Sequence, residues 1–154
     1  MSTSEDDVDT SASIGGTNCG GRCKIPAPGA GGVAFLNAWG SGGTISASLR
    51  PAFTYNSGTR SAATTISHEA GHNFNLNHDG STLSGTDVTT VVGGEYLQAL
   101  VGSAGTIWAP IMGAGFDADI NQWSNGIYQG ATNPGEDDLA ILTTRLGAIS
   151  NLEA

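Results

Sequence analysis

Apolar positions along this chain fall into short clusters whose period changes from one segment to the next. Residues 1 to 31 are polar and acidic at first and then rich in Gly and Pro (GGTNCGGRCKIPAPGAGG). They hold no period of 2 or of 3.6, which predicts tail or loop. Two apolar runs follow, GVAFLNAW over 32–39 and LRPAFTY over 49–55, joined by GSGGTISAS. Bounded by glycines, they predict strands, with Pro51 confining the second to a sheet edge or to its own first residues. From Ser61 the spacing becomes four, since Ala62, Ile66, Ala70 and Phe74 recur on one face. That predicts a helix to about Leu76, with Thr59 or Ser61 placed to cap its start. Beyond it, STLSGTDVTTVVGG predicts loop, EYLQALVG one or two helical turns, and WAPIMGAG a turn flanked by Pro and Gly. Near the end, NPGEDDLAILTTRLGAI predicts a second helix. Glu136, Asp137 and Asp138 sit at its positive end, and Leu139, Leu142 and Leu146 form its buried face. The expected organisation is a flexible acidic, Gly-rich segment over 1–31 and one domain over 32–154, without internal repeats.

Composition narrows the classes. A chain of 154 residues with 38% apolar content supports one modest core, and 24 glycines against 12% charged residues put much of it in loops. The formal charge is −9, and the five Lys and Arg form no cluster, which argues against nucleic-acid binding. No apolar run reaches the length of about 18 residues that a membrane span needs, and MSTSEDDVDT lacks the basic start and apolar stretch of a signal peptide. Cys19 and Cys23, separated by GGR, are read as a small disulfide, which would favour an oxidising compartment. Two free thiols and a zinc knuckle are the alternatives, the knuckle being weaker because no second Cys or His pair stands nearby.

The chemistry lies in HEAGHNFNLNHDG, residues 68 to 80. His68 and His72 at i and i+4 share one helix face, so two imidazoles can reach one metal. A catalytic zinc takes about three protein ligands and leaves a position for water, so a third is needed. His78 supplies it if the helix stops and the chain turns back. Asn75 fits that turn, because Asn tolerates the left-handed conformation that ends helices. Glu69 points about 100° around the helix from its neighbouring ligand, where it can act as general base without coordinating the metal. These are the only three histidines in the chain.

The segment resembles the metzincin motif H-E-x-x-H-x-x-G-x-x-H, with Asn75 in the Gly position and Asp79 as in the reprolysin or adamalysin branch. APIMG, residues 109 to 113, resembles the Met-containing turn of that family, with Met112 as an apolar floor beneath the ligands. QWSNGIYQGATN followed by EDDLAIL resembles the C-terminal part of secreted bacterial reprolysin-like domains, so the likeness spans roughly residues 32 to 147. It implies an α+β, metzincin-like (zincin) catalytic domain with a small mixed sheet, a zinc-binding helix, a Met-turn and a C-terminal helix, its N-terminal strands truncated. It further implies one catalytic zinc, a protein or peptide substrate and a secreted, extracellular bacterial setting. By the same likeness, GVAFLNAW corresponds to the edge strand that pairs with substrate, and Gly113 to Ile120 stand near the substrate side chain. Ala114 occupies the place where some metzincins carry a metal-contacting Tyr, so no such Tyr is expected. Asp79 either caps the turn before Gly80 or hydrogen-bonds near the Met-turn.

The reading is therefore a zinc-dependent endopeptidase. The alternative is a catalytically impaired remnant that keeps zinc and serves as a binding or assembly module, self-associating through an exposed sheet edge. Hydrolysis of a non-peptide amide is a third reading, since the site polarises any carbonyl. Retention of Glu69 favours catalysis, because a structural zinc is closed by a fourth ligand and needs no base. Three weaker readings complete the set. The acidic triplet over 136–138 could hold Ca2+, although dipole stabilisation suits its place at a helix start better. Trp39, Trp108 and Trp123 are read as packing residues rather than a carbohydrate platform. Cys19 or Cys23 as a latency switch is the least supported.

Overall fold

The computed structural model describes residues 8–9, 23–24, 31–39, 49–83, 88–90 and 94–146. Two α-helices, a 3-10 turn at Ser103–Gly105 and eight short strands appear among them. Strands β1 (Val8–Asp9) and β2 (Cys23–Lys24) pair in parallel, and β3 (Gly32–Val33) and β4 (Phe53–Thr54) pair antiparallel. After helix α1 (Thr59–Asn73) come β5 (Val88–Thr90), β6 (Leu97–Val101), β7 (Ile107–Pro110) and β8 (Ile120–Gln122), and then helix α2 (Asp138–Leu146). These last four strands form a mixed sheet in sequence order, antiparallel except for the β7 and β8 pair. The domain is α+β. No helix among the described residues is long and apolar enough to cross a membrane.

Helix α1 lies against β3 and β4. Gly32 permits that approach, because a Cβ there would stand 2.6 Å from Thr65 Cγ2 and 2.7 Å from Glu69 Cγ. The helix starts at Thr59 after Gly58 (φ 88), with no side-chain cap, so neither Thr59 nor Ser61 serves as the expected cap. The expected apolar stripe is also not the buried one. Ile66 is 54% exposed, while Thr65, His68, Glu69, Gly71 and Asn73 are buried. The face that carries the chemistry is the face that packs, so the four-residue apolar spacing misplaces it.

At its C-terminus α1 ends in a Schellman motif three residues earlier than predicted. Leu76 N–H donates to Gly71 O (3.0 Å) and Asn75 N–H to His72 O (2.9 Å), with Asn75 at φ 79. The run GVAFLNAW, expected as one strand, contributes only Gly32–Val33 to a sheet, and Leu36 to Trp39 form a turn. That turn serves the helix, since Asn37 and Trp39 N–H groups donate to His72 O and Asn73 O at 2.8 and 2.9 Å. In LRPAFTY the strand begins after Pro51, at Phe53.

Downstream, three expectations are corrected. EYLQALVG contains strand β6, not helical turns. Leu97 is fully buried, and the segment has β5 on one side and β7 on the other, so sheet pairing overrides a local composition compatible with helix. Within the predicted loop STLSGTDVTTVVGG, residues 88–90 form β5. WAPIMGAG begins as strand β7 and turns only from Ile111.

Helix α2 forms where predicted but is anchored differently. Leu139 and Leu146 are 55% and 56% exposed, whereas Asp138 is fully buried. The hold is polar and sits at the first turn. Asp137 Oδ1 accepts from Ala140 N–H (3.0 Å), an N-cap bond, and Asp138 and Ser124 bond reciprocally, Ser124 N–H to Asp138 Oδ2 at 2.8 Å and Asp138 N–H to Ser124 O at 2.9 Å. Cys19, one half of the expected bridge to Cys23, lies outside the described residues.

Burial pushes the Asp138 carboxyl up to about 7, with the Ser124 bond opposing and neighbouring carboxylates adding to the rise. In the unfolded chain it ionises near about 4. Between those values the native state keeps a proton that the unfolded state has released. This contribution to stability is therefore complete below about 4 and lost as pH rises through about 7. Asp138→Asn keeps an acceptor for Ser124 and removes the titration. Urea unfolding at pH 5 and pH 8 should show the parent losing more stability than the variant, by at least about 1 kcal/mol, the scale of a tenfold change in proton affinity; equal losses would assign the slope to other groups.

Candidate metal centre

His68 and His72 project from successive turns of α1, and the Schellman motif redirects the chain so that His78 returns to them. Leu76, the residue after Asn75, drops into the core, where it is fully buried, and its carbonyl comes to rest beside the His72 ring. The three ring centroids stand 4.8 to 5.3 Å apart, and one nitrogen from each ring lies within 4.8 Å of the others.

Each ring is held by its other nitrogen. His68 Nδ1 faces Ile111 O at 2.9 Å, His72 Nδ1 faces Leu76 O at 2.8 Å, and His78 Nδ1 faces Glu95 Oε1 at 2.7 Å. Carbonyl and carboxylate oxygens only accept, so the proton of each neutral ring resides on Nδ1 and Nε2 presents a lone pair. His72 Nε2 and His78 Nε2 then face one another at 3.0 Å with no proton between them. Two lone pairs at that distance repel. A cation relieves the contact, and a tetrahedral zinc with Zn–N of about 2.0–2.1 Å separates its ligand nitrogens by about 3.3 Å. The donor set fits zinc.

Burial holds His68 down to about 4, with the neighbouring His72 adding to the effect. His72 is lowered too, again chiefly by burial. Both therefore offer the neutral imidazole that a metal requires. Glu69, buried against Gly32, is pushed up to about 7 by burial. Its carboxylate is suited to taking up a proton near neutral pH.

Met112 is fully buried directly beneath the helix. A Cβ on Gly71 would overlap its Sδ and would also meet Trp123 Cζ3 at 3.2 Å and Leu76 Cδ1 at 3.3 Å. Asp79 is fully buried and joins two segments through its backbone, its N–H donating to Met112 O (2.9 Å) and its carbonyl accepting from Leu97 N–H (2.8 Å). Tyr128 OH donates to the adjoining Gly80 O at 2.6 Å. Asn77 is clamped by Glu136, which accepts from its N–H and from its Nδ2, both at 2.7 Å.

Around these residues lies a cleft of about 450 Å³. It is lined by the three ligands and Glu69, by Gly32 and Val33 of β3, by Gly113, Ala114 and Phe116, and by Tyr96. Two of these groups, Glu95 and Tyr96, were not read from the sequence as site residues. They lie just ahead of β6 in a stretch whose composition suggests helix, and the only local hint is the Gly93-Gly94 pair that precedes them.

A family model for metallo-peptidase family M12B, reprolysin-like, matches residues 2–79, more than half of the chain. The chain belongs to this family. No curated protein and no solved structure gives a match. In this reprolysin-like metallo-peptidase the match runs from the acidic segment through the whole histidine motif, so the His68, His72 and His78 cluster is a zinc-coordinating site of the HExxH type. The part of the chain that supplies Glu95, Met112 and the Ile111 carbonyl lies beyond the matched residues.

The helix end is open to direct test. Asn75 holds a positive φ, which Gly adopts freely and a β-branched residue resists. Asn75→Gly is expected to leave urea stability within about 0.5 kcal/mol of the parent. Asn75→Val should cost about 1–2 kcal/mol and weaken zinc binding, because the path from His72 to His78 is distorted; a Val variant that binds zinc like the parent would separate the turn from the ligand geometry.

Proposed function

We infer that the protein is a zinc endopeptidase in which Glu69 is the general base and the cleft between β3 and residues 113–116 receives an extended peptide. The observation that carries this reading is the convergence of three Nε2 lone pairs, each fixed by a bond at Nδ1, beside a buried carboxylate that is not one of the ligands. A structural zinc would be closed by a fourth protein ligand. None is seen among the described residues.

Zinc held by His68, His72 and His78 would supply Lewis acidity, bringing the ionisation of water toward neutral pH and polarising a carbonyl. Glu69 would take the proton from the attacking water and later hand it to the leaving amine. Burial serves that exchange, because a carboxyl raised to about 7 binds the proton firmly enough to remove it yet can still release it. Gly32 and Val33 offer the backbone of a short strand lining the cleft, where an extended substrate can add as a further strand. Phe116 gives the cleft an apolar surface for a substrate side chain. Met112, packed on Gly71, supports the ligand-bearing turn of α1 from below. The family match supports a secreted, extracellular setting.

The deciding experiment measures bound zinc together with casein or gelatin digestion, with and without a chelator. Digestion that the chelator abolishes and added zinc restores is expected; bound zinc without chelator-sensitive digestion would favour a zinc-containing binding module. Glu69→Gln should lower kcat by at least about 100-fold while retaining one zinc per chain. Loss of zinc and activity together would count against its role as base. With the parent, kcat/KM is expected to fall toward acid pH as Glu69 takes up a proton, burial acting to raise its carboxyl.

A further inference from the structure

We propose that Glu95 is a positioning residue of the metal centre, its carboxylate holding His78 by Nδ1 so that Nε2 stays turned toward His68 and His72. The inference rests on the zinc reading above and deepens it, by naming the side chain that sets the third ligand.

The three ligands are not held alike. His68 and His72 stand on a helix and bond to backbone carbonyls, so their orientation comes with the fold. His78 lies outside the helix, its side chain one quarter exposed, and its Nδ1 partner is a side chain, Glu95 Oε1 at 2.7 Å. The Tyr96 ring covers the imidazole, with centroids 4.1 Å apart, and limits its tilt. Rotation within the ring plane is left to the hydrogen bond at Nδ1.

Glu95 is itself placed by backbone. Leu97 N–H donates to Asp79 O at 2.8 Å and Ser81 N–H to Gly94 O at 2.9 Å, so residues 79–81 run alongside 94–97 and set Glu95 opposite His78. Gly80 makes the approach possible, because a Cβ there would overlap Gly94 O. An anionic acceptor also leaves the imidazole more electron-rich than a carbonyl does, and removing such a partner commonly costs 10–100-fold in metal affinity. The Glu95 side chain is 58% exposed. As a largely exposed contact it adds little to folding, and its replacement opens no cavity, so the effect on metal can be read apart from the effect on stability.

The test is zinc affinity by competition with a chromogenic chelator, read with far-UV circular dichroism and the visible spectrum of the cobalt-substituted protein, on the parent, Glu95→Ala and Glu95→Gln. Glu95→Ala should weaken zinc by about 10–100-fold with an unchanged helical signal and an altered cobalt spectrum. Glu95→Gln, which retains an acceptor for Nδ1–H, should recover most of the affinity and the parent's cobalt spectrum. A parent-like Kd in Glu95→Ala overturns the proposal, as does an equal loss in both variants. A parent protein that binds no zinc overturns both this inference and the zinc reading, and is thereby distinguished from failure of the Glu95 role alone.

Discussion

A neutral imidazole can lend only one nitrogen to a metal, and the other must have somewhere to put its proton. Three such rings brought together therefore need three acceptors, aimed outward, and much of this molecule is arranged around that requirement. The Leu76 carbonyl becomes available because α1 stops at a Schellman motif and the next residue sinks into the core. The Ile111 carbonyl becomes available because the chain leaves β7 at the level of His68. Glu95 is brought in by the pairing of residues 94–97 with 79–81. Each acceptor comes from a different part of the chain, which ties the helix, the mixed sheet and the crossing segments into one unit.

The remaining polar burial follows from the same arrangement. Asp79, whose backbone bridges Met112 and Leu97, is fully buried beside His78, and burial raises its carboxyl to about 6 with Glu136 adding to the rise. Glu136 and Asp138, at the start of α2, hold Asn77 and Ser124. The acidic triplet thus has structural work for each of its members: a clamp on the turn before His78, a cap for α2 and a buried bond to the segment after β8. Among the described residues few large apolar side chains are fully buried, chiefly Leu76, Leu97 and Met112, so polar contacts of this kind supply much of the specificity of the packing there.

The site was far more legible in the sequence than the fold around it. Spacing alone put His68 and His72 on one helix face, and the need for a third ligand pointed to His78 and to a turn between them. Such reasoning works because the relations are local, within one helix and the few residues after it. Sheet pairing is not local. Whether Leu97 to Val101 form helix or strand depends on β5 and β7, and the apolar residues there satisfy either pattern. The burial of α1 was misread because its packed face is made of Thr, His, Glu, Gly and Asn, residue types that a search for apolar stripes passes over. In α2 the leucines suggested an apolar seam, while the anchoring residue is a buried aspartate. Glu95 was illegible for a related reason, since nothing near it in sequence indicates that it meets a histidine 17 positions away.

The residues that match the family model end at Asp79 and already contain all three ligands and Glu69. Two of the three outward acceptors, the Ile111 carbonyl and the Glu95 carboxylate, come from the half of the chain beyond that point. The motif is thus portable as a list of ligands but not as a preorganised site. A peptide carrying it alone would have the atoms that bind metal without the partners that fix two of its three tautomers. Natural variation in the downstream half, which supplies none of the ligands, is then a means of tuning the metal without altering any residue that touches it.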